Sequence, residues 1–162
     1  MEHAITKTYL GEKQLRLNGI ISGGIFHVDK QHQDNQRQKP RPYIYQLLSL
    51  LSAIQTEIID VSKVLMRPLM GELILGLFSH YLACIRASDP KHNDLALYKV
   101  LDAEVAILED ILATGMSEEA NELSLSCHTS ISQLLDAKAA GTVQKAIRFH
   151  SALIVKQFSS YQ

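Results

Sequence analysis

Leu47, Leu51, Ile54, Ile58, Val61 and Leu65 follow one another at alternating intervals of four and three residues. An α-helix turns once in about 3.6 residues, so that rhythm lines all six along one stripe. A half-buried strand would need alternation at every second residue, and none is present. Gln46, Gln55, Glu57, Asp60 and Lys63 fall off the stripe. The spacing predicts an amphipathic helix over 43–66. Arg67-Pro68 should interrupt it, because proline lacks a donor and disfavours helix at the residue before it.

The same rhythm recurs downstream. Residues 68–86 are almost uniformly apolar, with Pro68 acceptable in a first helical turn. Glu72, Ser79 and His80 interrupt this run, and it sits at the short limit for a bilayer span, so a central helix of a bundle is the expectation and a membrane span is not. Tyr98, Leu101, Val105, Leu108 and Leu112 mark a helix over 94–114, with Gly115 as a left-handed stop. Ala120, Leu123, Cys127, Ile131 and Leu134 mark one over 117–141, with Ser117 as N-cap and Glu118 and Glu119 near the positive end of the helix dipole. Gly141 should end it. Val143, Ile147, His150 and Ile154 then mark a last helix over 142–158. Short links favour antiparallel neighbours, so residues 43–162 are expected to form a five-helix up-and-down bundle of the all-α class.

Residues 1–42 read differently. Gly11, Gly19, Gly23 and Gly24 break short apolar runs, and Asn18-Gly19 suits a type I′ turn. The expectation is a Gly-rich arm containing a small β-hairpin. Residues 29–42, DKQHQDNQRQKPRP, should be a solvated linker with nothing to bury. The charge is uneven too. Residues 1–42 hold seven Lys/Arg and four Asp/Glu, leaving nine basic and thirteen acidic residues for the body. Net charge is −1 over 162 residues, which argues against nucleic acid as a partner of the whole molecule. Lys30, Arg37, Lys39 and Arg41 are placed to touch phosphates, but Asp29 and Asp34 dilute them and no aromatic residues interleave.

Catalytic signatures are missing: there is no phosphate loop, HExxH, nucleophile elbow or dinucleotide fingerprint. Asp102, Glu104, Glu109 and Asp110 read as solvated surface. Cys84 and Cys127 form no CxxC pair, and Met1 to Thr8 contains no apolar signal core, so a reducing cytoplasm is expected. The sharpest chemical candidate is a metal or small-ligand site inside the bundle. His80 and Cys84 share a helix face, Cys127 and His128 lie mid-helix, and His150 lies on an apolar stripe. If Gly141 turns the chain back, His128 and His150 come within about one turn of each other along the bundle axis. His150 should then be buried on one partner and His128 should lie near the surface.

The run from His128 to His150, with Ile131, Leu135 and Ala146, resembles the last helices of GntR-type regulator effector domains. That resemblance implies a histidine-held metal and a small carboxylate ligand. The chain departs from it where Asp94 is followed four residues later by Tyr98 rather than by histidine. Leu77 to Leu112, with the Asn93-Asp94 loop, is similar to flagellin export chaperones, which implies a bundle that grips a partner helix. The residues themselves favour a non-enzymatic helical interaction module without cofactor: an adaptor, chaperone-like or regulatory protein. It would bind another protein by a helix-in-groove contact or as a homodimer, since Leu48 and Leu50 add apolar surface beside the first stripe. The alternative is a metal- or ligand-sensing domain at His80, Cys84, His128 and His150.

Overall fold

A computed structural model describes residues 2–27 and 40–159, and the side chains of residues 4–27 and 40–138. Among the described residues there are five α-helices and no strand. They are α1 (Glu2–Gly24), α2 (Pro42–Val61), α3 (Met66–Ala87), α4 (Leu95–Leu112) and α5 (Glu118–Ser159). Short 3₁₀ turns, Lys63–Leu65 and Ala113–Gly115, lead into α3 and out of α4. The all-α bundle is as expected, but two of the five helices are not the expected ones.

The first correction concerns the N-terminus, which is a helix and not a hairpin. Leu17, Ile21 and Ile25 recur every four residues and are buried in the same core as the later helices. Asn18-Gly19 lies inside that helix, and no glycine among the described residues takes a positive φ. Glycine costs about 1 kcal/mol in a helix interior. Burial of three large aliphatic side chains, at about 1.5–3 kcal/mol each, outweighs it. Gly24 contributes in another way: a Cβ there would overlap the Tyr43 side chain, so the end of α1 and the start of α2 meet because the side chain is missing.

The second correction concerns Gly141. It does not stop the chain; α5 runs unbroken from Glu118 to Ser159. No proline accompanies this glycine and two alanines, Ala139 and Ala140, precede it, so the local cost is about that of one glycine, about 1 kcal/mol. Gly115 likewise is a 3₁₀ residue without positive φ, not a left-handed cap. The break before α3 falls at Ser62, whose backbone is extended, and not at Arg67-Pro68. Pro68 sits in the first turn of α3, where no intrahelical donor is needed. The expected stripe of α2 therefore ends at Ile58: Leu47, Leu51, Ile54 and Ile58 are buried, whereas Val61 and Leu65 are exposed.

The other stripes hold. Tyr98, Leu101, Val105 and Leu108 of α4 are buried, as are Ala120, Cys127 and Ile131 of α5. Ser117 caps α5, its Oγ accepting the Ala120 N–H at 3.2 Å. α3 packs between α1 and α5, α2 lies on α1, and α4 lies on α5. The central place of α3 accounts for its apolar run. By length and composition α2 and the stretch Lys63–Ala87 both suffice to cross a membrane. Both place aliphatic side chains in the shared core, as the middle helices of a bundle do.

Candidate protein interface

α1 begins, α2 ends and α3 begins at one end of the bundle. Because α2 stops at Val61 and the chain turns at Ser62, the apolar residues after Ile58 cannot reach the core. Val61 and Val64 are left 86% and 85% exposed. Val61, with Ile5, Leu65 and Leu69, surrounds a cleft of about 550 Å³ walled by Tyr9 and Ile58. Glu57 and Asp60 supply its polar edge. Tyr9 donates its hydroxyl proton to Glu57 Oε2 at 2.7 Å, and Lys13 Nζ stands 3.4 Å from the same oxygen. Burial and then the Glu57 hydrogen bond push the Tyr9 phenol up to about 12, and the Tyr9 hydrogen bond holds the Glu57 carboxyl below its usual range. The cleft is thus apolar with one fixed polar edge.

The opposite end is closed by a buried ionic clasp. Glu104 is 1% exposed and lies between Leu101 and Leu108 on the core stripe of α4. Its carboxylate accepts from the Arg41 backbone N–H at 2.8 Å, from Arg41 Nε at 3.0 Å, from Arg41 Nη2 at 2.5 Å and from the Tyr43 hydroxyl at 3.1 Å. Tyr81 donates in turn to the Tyr43 oxygen at 3.1 Å. The other arm of the guanidinium donates to the Gly24 and Ile25 carbonyls at 3.3 and 2.8 Å, covering acceptors that the end of α1 leaves without intrahelical partners. Burial pulls the Arg41 pKa down and Glu104 pushes it up by more, so the net shift is upward. Burial, then the Glu104 charge, raises the Tyr43 phenol.

This overturns two expectations. Glu104 is not solvated surface, and Arg41 is not a linker residue free for phosphate. The signal lay in the sequence: Glu104 stands three residues after Leu101 and four before Leu108, so it had to face the core. Lys30, Arg37 and Lys39 lie outside the described residues.

Of the four candidate ligands, His80, Cys84 and His128 have described side chains, and His128 has partners different from those of His80 and Cys84. His80 Nε2 meets Ser22 Oγ at 2.7 Å and Cys84 Sγ at 3.5 Å on the α1–α3 face. Cys127 is buried against the Phe78 carbonyl at 3.8 Å, and burial lifts its thiol to about 12. His128 turns to α4, with Nδ1 at 2.6 Å from Asp102 and Nε2 at 2.8 Å from Glu109. It is partly exposed, at the edge of the α4–α5 contact. The His150 side chain lies outside those described. Its backbone is in α5, and with no reversal at Gly141 it stands roughly 33 Å along the axis from His128 at about 1.5 Å per residue. The route that was to bring the two together does not exist. Among the described residues no group of three His, Cys, Asp or Glu side chains is arranged to hold a metal.

An apolar cleft on an all-helical bundle is an adhesive feature. In agreement with it, the family profile "Exocyst complex component Sec5" matches residues 1–159. The chain belongs to that family. It is therefore a helical protein-interaction module of a complex-forming, non-catalytic family, and neither a GntR-type effector domain nor a flagellin chaperone. No curated protein matches the chain, and no solved structure matches it. The exocyst family match spans α1 as fully as the later helices, as the shared core does.

Proposed function

We propose that this chain is an adaptor of the exocyst type that holds another protein of its complex, and that the end cleft between α1, α2 and α3 takes an amphipathic helix of that partner. The observation that carries the reading is the exposure of Val61 and Val64 beside a ready-made apolar cleft. Apolar side chains that miss the core by one turn cost solubility unless something covers them. A partner helix would lay aliphatic residues between Ile5 and Leu65 and set a basic residue against Asp60. The exocyst is cytoplasmic and associated with vesicle tethering at the plasma membrane, and the chain would work there. Val61→Asp with Val64→Asp tests this. The double variant should keep its melting temperature, because neither side chain is in the core, and lose co-purification with other exocyst components. Undiminished co-purification would refute the cleft as the docking site.

A further inference from the structure

Several hydroxyl side chains on these helices turn back on their own backbone. Thr8, Thr56, Ser126 and Thr129 each donate to the carbonyl four residues earlier. Ser22 Oγ instead crosses from α1 to α3 and stands 2.7 Å from His80 Nε2. One turn further along α3, Cys84 Sγ stands 3.5 Å from the same nitrogen. The two cysteines differ in a related way. Cys127 is wholly buried against the Phe78 carbonyl, whereas Cys84 is half-buried at the edge of the core.

A neutral imidazole has one nitrogen lone pair to offer. With the ring proton on Nδ1, Nε2 presents that lone pair to two protic groups at once, the Ser22 hydroxyl and the Cys84 thiol. A cation placed among them would take all three atoms as donors. The spacing suits one. Zinc holds a histidine nitrogen at about 2.0–2.1 Å and a thiolate sulfur at about 2.3 Å, so two such ligands at a tetrahedral angle stand about 3.6 Å apart. His80 Nε2 and Cys84 Sγ are 3.5 Å apart already, and four residues of helix hold both on one face. Ser22 Oγ lies closer to the nitrogen than a ligand would, and its side chain is exposed and can turn outward.

We propose that His80 Nε2 and Cys84 Sγ chelate a zinc ion on the face between α1 and α3, with the Ser22 hydroxyl as third donor and solvent in the remaining position. The thiol gives its proton to solvent as the sulfur binds. Imidazole with thiolate selects zinc over magnesium and calcium, which take oxygen ligands. Two strong donors make an exchangeable site, unlike the four-ligand zinc centres on which a fold depends. The ion would tie α1 to α3 roughly 20 Å along α1 from Tyr9, at about 1.5 Å per residue. It is separate from the end cleft, and the inference does not rest on the proposed adaptor role.

Calorimetric titration of zinc chloride into the reduced, untagged full chain tests it, with cobalt(II) as the spectroscopic probe. One ion per chain is expected. His80→Ala and, separately, Cys84→Ser should each weaken binding by about tenfold or more, and Ser22→Ala should weaken it by less. The melting temperature without metal should be the same in all three, since none of these side chains is fully buried. Zinc should raise the melting temperature of the parent chain and leave that of Cys84→Ser where it was. Cobalt should give a thiolate charge-transfer band that Cys84→Ser removes and Cys127→Ala keeps, because burial lifts the Cys127 thiol to about 12. No uptake of zinc, uptake indifferent to both His80→Ala and Cys84→Ser, or a cobalt band that follows Cys127 would overturn the inference.

Discussion

Two ionic clusters join α1 to the rest of the bundle, one at each end, and they differ in what surrounds them. At the closed end Arg41 and Glu104 are 12% and 1% exposed; Arg41 also donates to the Gly24 and Ile25 carbonyls, and Glu104 also accepts from Tyr43. At the open end Lys13 is nearly buried but its partner Glu57 is 54% exposed, beside the apolar cleft. Both pair a cation with a glutamate, at 2.5 Å in the closed clasp and 3.4 Å at the open end. The surroundings decide what each is worth, because an exposed pair is screened and loosely held, while removal of one member of a buried pair strands the other. The closed end specifies the fold; the open end is available for contact.

The comparison would break if the closed clasp proved dispensable. Glu104→Gln leaves the Arg41 guanidinium without its counter-charge and should destabilise the protein by about 3–5 kcal/mol in urea unfolding. Replacing both partners, Arg41→Met with Glu104→Leu, should recover a large part of that loss, since two apolar side chains leave no charge stranded. The next effect in size is that of plain packing. Ile54→Ala and Leu108→Ala, each at a position with no exposure, should cost about 2–5 kcal/mol. Losses near zero would mean that the stripes of α2 and α4 are not core.

A smaller effect separates a half-exposed charge pair from both extremes. Burial lowers the His128 pKa, while the hydrogen bond to Asp102 and the charge of Glu109 raise it by more, so the folded value lies above the unfolded one. The stabilisation is therefore complete below about pH 6.5, the unfolded value, and is lost as pH rises through the folded value. Stability measured across that window should fall by at most about 1 kcal/mol after solvent screening, and His128→Gln should flatten the profile. At the open end Glu57→Gln should leave the melting temperature unchanged. A shift comparable with that of Glu104→Gln would erase the distinction between the two ends.

The helices that carry a helical stripe, α2, α4 and the first half of α5, were legible in the sequence, and α3 was legible from its continuous apolar run. The N-terminal helix was hidden by Lys13, a charged residue on the stripe that continues through Leu17 and Ile21, together with its glycines. Its amine reaches Glu57, a partner 44 positions away that no local pattern indicates. Gly141 misled for the converse reason: a residue that ends helices by taking a left-handed conformation was given that role where nothing required one. Of the candidate site, the excess of apolar surface was visible, but its place was not. The cleft exists because α2 stops at Val61, and neither a proline nor a glycine stands at Ser62 to announce the break. The clasp was half legible, through Glu104 on a core stripe; that Arg41 answers it depends on how the chain returns after residue 39.

That return has a consequence for what the chain can tolerate. One guanidinium grips the Gly24 and Ile25 carbonyls on one side and belongs to the first residues of α2 on the other. The two points where the intervening stretch leaves and rejoins the bundle are stapled together whatever lies between them. Lengthening such a stretch twofold costs only about 0.6 kcal/mol of closure entropy. An insertion within 28–39 should therefore leave the Arg41 anchor in place, which an unchanged melting temperature checks.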